Sequence, residues 1–69
     1  MKFELHKDVD EDALEYAQYV IVATDMKDKH DYIMGYAETS GDARFSADEL
    51  REAFKGDGRY RDWAIVEYL

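Results

Sequence analysis

The residue groupings in this sequence that could do chemistry are few, and the richest of them is acidic. Asp8, Asp10 and Asp12 alternate as the opening carboxylates of an EF-hand calcium loop do. The likeness stops at the two most demanding positions of that loop. The sixth, which needs Gly for a sharp bend, holds Ala13, and the twelfth, which needs a bidentate Glu, holds Tyr19. No metal and no cofactor is expected. His6 and His30 are the only imidazoles, and neither His6-Lys7-Asp8 nor His30-Asp31 matches a ligand or triad signature. Gly56-Asp57-Gly58 lacks the third glycine and the preceding strand of a dinucleotide fingerprint and reads as a turn. Lys55, Arg59 and Arg61 around Tyr60 form the only basic-aromatic cluster. In so acidic a chain they are expected to act as counter-charges for Asp57 and Asp62, or as a contact for a protein partner, rather than to hold nucleic acid. With no nucleophile–base pair and little room for a cleft, the chain is expected not to be an enzyme.

What remains is charge. Between Asp8 and Gln18 stand five carboxylates, Asp8, Asp10, Glu11, Asp12 and Glu15, with no Lys or Arg among them. Glu11 and Glu15 are a like-charged i,i+4 pair that costs an isolated helix about 0.2–0.5 kcal/mol, partly offset by the helix dipole. A surface that only keeps a protein soluble usually mixes signs, as Asp48, Glu49 and Glu52 do with Arg51 and Lys55 further along. The one-sign row therefore reads as a patch that steers a basic surface, with Asp25, Asp28 and Asp31 as a second row. A solvated face, or adaptation to high salt, would leave the same pattern.

The elements that must position these groups follow from periodicity. Residues 2–6 alternate polar and apolar and read as a strand with Phe3 and Leu5 inward. Asp8 to Gln18 reads as a helix capped by Asp8, with Glu11 completing the cap and Val9, Ala13, Leu14, Tyr16 and Ala17 on one apolar arc. Residues 19–24 are β-branched and apolar on both faces, as a doubly covered strand should be, and residues 32–38 pair with them as a hairpin across a charged connection. Gly41-Asp42 marks a loop. Ser46 with Glu49 then reads as a capping box, stapled by Phe45 and Leu50, opening a helix that buries Leu50, Ala53 and Phe54 and stops at Gly56. Residues 63–69 form the last strand.

The 69 residues thus make a single acidic domain of α+β class: a small antiparallel sheet of about four strands with two helices, in the order β-α-β-β-α-β. Without cysteine, its stability must come from packing, for which three Phe, one Trp and six Tyr provide the bulk. The order resembles the ferredoxin-like arrangement, which carries both helices on one sheet face and puts its second strand at an edge. Here residues 19–24 are the most apolar of all, so either the strand order differs or something covers that edge, a second copy being one such cover.

The apolar run 19–23 is too short to span a bilayer and Met1-Lys2-Phe3-Glu4 has no signal-peptide character, so a cytoplasmic protein is expected. A formal charge of −8 opposes direct contact with nucleic acid or anionic membrane and favours a basic partner. In size, acidity, tyrosine content and lack of catalytic residues the chain resembles small phage-encoded inhibitors of the DNA-mimic and anti-CRISPR type. That likeness of class implies a protein-binding inhibitor in the host cytoplasm. Its partner would be the basic surface of a nucleic-acid-binding protein: a CRISPR effector such as Cascade or Cas9, or a restriction, repair or transcription protein. Asp8, Asp10, Glu11, Asp12 and Glu15 would make the main contact. The alternative is an assembly module or homodimeric subunit, joined through Tyr19, Ile21, Tyr32, Met34 and Tyr36, whose acidity only keeps it soluble.

Overall fold

The computed structural model describes residues 3–7, 9–56 and 58–68. Its class is α+β, with strands β1 (Glu4–Leu5), β2 (Tyr19–Asp25), β3 (His30–Ala37) and β4 (Tyr60–Glu67), one α-helix, α1 (Ser40–Ala53), and a short 3₁₀ helix at Glu11–Tyr16. The four strands form one sheet in the order β1-β3-β2-β4. The sheet is mixed rather than antiparallel: β2 runs antiparallel to β3 and β4, whereas β1 runs parallel to β3.

That order explains the apolar character of β2. It lies between β3 and β4, and each of its faces is covered from within the chain. On one face Val20 and Val22 join Leu14, Ala17 and Ile33 in a buried cluster, flanked by Phe3, Leu5, Val9 and Val66. On the other, Ile21 lies fully buried beneath α1 beside Gly35, where an added Cβ would come within 2.9 Å of Leu50 Cδ1. The side-chain period of two sends Ile21 and its neighbours Val20 and Val22 to opposite faces. The two helices therefore cover opposite faces, not the single face of the ferredoxin-like arrangement, and no second copy is needed over β2.

Helix α1 starts six residues before the Ser46 cap that its sequence suggests. Thr39 caps it, its hydroxyl accepting the Asp42 N–H at 3.1 Å, so Gly41 and Asp42 belong to the first turn and not to a loop. Thr39-x-x-Asp42 is the same type of signature as Ser46-x-x-Glu49. The earlier start wins because it adds Ala43 and Ala47 to Leu50 on one face, where small side chains let the helix lie close on the sheet. Phe45 consequently points to solvent at 66% exposure and staples nothing, and Ala53 is exposed.

The acidic segment departs from expectation as well. It is a 3₁₀ helix of six residues, not an α-helix over 8–18, and Asp10 is its cap, accepting the Asp12 N–H at 3.0 Å. Asp8, the expected cap, lies outside the described residues. A three-residue repeat turns Leu14 and Ala17 inward together and leaves Tyr16, assigned to the apolar arc by its sequence, 70% exposed. Strand β4 begins at Tyr60, earlier than its aromatic run suggests, through a bulge in which Asp62 adopts φ 57° and two residues oppose Ala23.

Candidate functional site

The short helix holds the acidic row by two apolar pins, Leu14 and Ala17, and so keeps Asp10, Glu11, Asp12 and Glu15 in solvent. Beside the row the sheet leaves an opening. Strand β1 pairs with β3 at Tyr32 and Ile33, and among the described residues no strand lies on the outer side of the last residues of β3. A cleft of about 490 Å³ occupies this place, with Ala13 and Tyr16 on one wall, Tyr36 and Glu38 at the end of β3, and Asp42 and Phe45 on α1 opposite. Tyr16 and Phe45 are largely exposed and Tyr36 is 44% exposed. Three solvent-facing rings thus stand with the carboxylates of Glu38 and Asp42, whereas Glu11, Asp12 and Glu15 line a separate depression of about 540 Å³ with Leu14, Ala17 and Tyr68. Neither Glu38 nor Asp42 is marked as a site residue by the sequence, and of the rings only Tyr36 is, as an interface residue of the assembly alternative; helical periodicity assigns Tyr16 to the core and the Ser46 signature turns Phe45 into a staple.

The second acidic row is not a row. Asp25 is buried, at 1% exposure, and is engaged by Arg59, whose Nε lies 3.0 and 2.9 Å from its two carboxylate oxygens and whose Nη2 lies 2.9 Å from Oδ2. It also accepts the Lys27 N–H at 2.8 Å. The hydrogen bond from Arg59 holds its carboxyl below the ordinary value, against the opposing effect of burial. Asp25 is therefore a structural counter-ion and cannot meet a partner; Arg59 serves Asp25 rather than Asp62, and the expected contact with Asp57 lies outside the described residues. Burial of β2's end forces this pairing, since a buried carboxylate needs a cation and hydrogen bonds. Asp28 and Asp31 are exposed but occupied. Asp28 accepts the Tyr32 hydroxyl at 2.6 Å and the His30 N–H at 3.1 Å, and Asp31 accepts the Thr24 hydroxyl at 2.6 Å. The bond to Asp28 is the main reason the Tyr32 phenol is pushed up to about 12. These residues sit at the hairpin end of β2, about 20 Å along the strand from the short helix. The two groups do not merge into one surface.

The other candidate residues are also accounted for. His6 stacks edge-on with Phe54 and Tyr60, at centroid distances of 5.9 and 5.7 Å, and Trp63 lies 6.1 Å from Phe54. His30 lies 3.8 Å from Glu4 at the surface, and Ser46 is within α1. Among the described residues no group of three or more His, Cys, Asp or Glu side chains is placed to share a metal ion, and no helix is long and apolar enough to cross a membrane. The interface expected for an assembly module is largely consumed inside the chain: Ile21 and Met34 are buried, Tyr19 and Tyr32 are half-buried, and only Tyr36 is exposed. No protein-family model, curated protein or solved structure matches this chain, so its function is argued from the cleft and the acidic row.

Proposed function

We propose that this chain is a non-enzymatic, protein-binding inhibitor that offers an acidic, nucleic-acid-mimicking surface to the basic groove of a nucleic-acid-binding protein. One observation carries the reading: the short helix exposes Asp10, Glu11, Asp12 and Glu15 to solvent, the last three along a depression shared with Tyr68, while its Tyr16 lines a separate cleft with the exposed rings of Tyr36 and Phe45. At 2.0 Å of rise per residue, Asp10 to Glu15 spans about 10 Å. Successive carboxylates along it are separated by rises of about 2, 2 and 6 Å, a one-sign cluster rather than an even ladder. The carboxylates steer and neutralise Lys and Arg, while the rings supply the large contact area of interface anchors and flat faces for guanidinium stacking. An anti-CRISPR or similar anti-defence role in the cytoplasm of a host cell fits this chemistry.

The test is capture of nucleic-acid-binding proteins by the immobilised chain at low and several-fold higher salt, with duplex DNA as competitor. The reading expects capture that DNA displaces and salt weakens. It also expects loss with the triple reversal Glu11→Lys, Asp12→Lys, Glu15→Lys and, separately, with Tyr16→Ala plus Phe45→Ala. Capture that survives both salt and charge reversal rejects the mimic.

A further inference from the structure

Strand β4 forms the edge of the sheet farthest from the cleft. The Tyr68 N–H donates to the Gln18 carbonyl at 3.0 Å, in register with the β2–β4 ladder. Antiparallel alternation then turns the backbone groups of Val66 and Ala64 toward β2 and those of Trp63, Ile65 and Glu67 outward. The bulge at Asp62 ends this straight run on one side. The open edge is therefore a five-residue segment, 63–67, whose three outward-facing residues are placed symmetrically about Ile65. Natural edges are usually blunted by charge, a bulge, shortness or a cover; between the Asp62 bulge and the charged Glu67 this one carries the half-buried Trp63 and Ile65, 40% exposed.

The geometry points to a second copy of this chain as the occupant, joined edge to edge through β4 about a two-fold axis at Ile65. Two-fold antiparallel pairing requires some residue of the edge to face its own copy. Centring on Ile65 pairs Ile65 with its mate and Trp63 with Glu67 of the other copy on both sides of the axis. All three outward residues are then hydrogen-bonded, about six bonds at two per pair. Centring on Ala64 instead would leave Glu67 outside the ladder. The side chains agree with the first register. Trp63, Ile65, Arg51 and Arg44 line the groove between α1 and β4 together with Asp48, two cations against one carboxylate. Among the described residues no carboxylate lies within 4.0 Å of Arg51 or Arg44, since the ion pairs there are His30–Glu4, Lys55–Glu52 and Arg59–Asp25. Opposite Trp63, the incoming Glu67 carboxylate arrives beside Arg51, and symmetry makes that contact twice. The two exposed Ile65 side chains meet at the axis. The result is one continuous eight-stranded sheet with the cleft of each copy on an outer flank, so self-association and partner binding use separate surfaces.

Sedimentation equilibrium tests this. The expected result is a reversible dimer of about 16 kDa, twice the 8.1 kDa chain, at micromolar to millimolar concentration. Ile65→Pro removes an outward N–H that an edge strand does not need for its own fold, and it should give a monomer with an unchanged far-UV spectrum. Glu67→Arg should weaken the dimer at least ten-fold, and adding Arg51→Glu to it should restore most of the loss. That charge exchange keeps the test decisive if the proline variant misfolds. A wild-type chain that stays monomeric at millimolar concentration, or a dimer indifferent to both Ile65→Pro and Glu67→Arg, overturns the inference.

Discussion

The two ends of β2 use the same residue type in opposite ways. At the hairpin end Asp25 accepts from Arg59, Asp28 from Tyr32 and Asp31 from Thr24, so each carboxylate is committed inside the fold. At the short-helix end Asp10, Glu11, Asp12 and Glu15 face water, and among the described residues only the Asp10 side chain accepts a hydrogen bond, from the Asp12 N–H as a helix cap. The difference comes from the backbone. A tight hairpin folds its carboxylates back onto their own donors, whereas a helix pinned by two apolar residues projects them outward. A count of acidic residues cannot separate these cases; the local turn and the presence of a cation in reach can.

The contrast is most easily broken at the hairpin. Arg59→Ala strands the buried Asp25 carboxylate and should lower the melting temperature on the order of 10 °C, whereas the triple reversal at Glu11, Asp12 and Glu15 should move it by only a few degrees in either direction. Equal effects at the two ends, read by thermal circular dichroism, would erase the distinction. Acid titration sharpens it. Because Asp25 has its carboxyl held below the ordinary 3.8 in the fold, the unfolded chain binds the proton first as pH drops. Its contribution is complete above that value and lost as pH falls through the lower folded value, so the acid limb of a stability profile should flatten in Arg59→Ala. A smaller effect separates the two capping signatures: Thr39→Ala should cost about 1 kcal/mol in denaturant unfolding, and Ser46→Ala less than about 0.5. Smallest in stability but clearest in signal, the Tyr32 phenol should ionise near 12, with Asp28→Asn moving it toward the ordinary 10.0 in an absorbance titration.

The parts of this fold that could be read in advance are those decided by neighbours in sequence. β2 and β3 declare themselves through Val20-Ile21-Val22 and Tyr32-Ile33, because β-branched and aromatic runs suit a pleated sheet whatever surrounds them. The solvent exposure of Glu11, Asp12 and Glu15 was legible for the same kind of reason, since unpaired charge stays in water. What escaped was decided at a distance or by competition. Arg59 reaches Asp25 across 34 positions of chain, which no local pattern encodes. Two equivalent capping signatures lay seven residues apart, and sheet contact with Ala43 and Ala47 chose between them. The start of β4 was hidden by Arg61 and Asp62, polar residues tolerated because they sit at a bulge on an edge.

The strand order also has a bearing on how the chain folds. β2 finds β3 across a four-residue turn, a closure of microseconds, while β4 must reach β2 from about forty residues away and is the costliest loop to close. The hairpin and α1 can therefore assemble with β2 still bare on one side, and Asp25 remains hydrated until β4 brings Arg59. Substitutions at Val20 or Ile33 should slow refolding in stopped-flow measurements. Those at Arg59 and Val66 should mainly hasten unfolding, making the last strand added the first to leave.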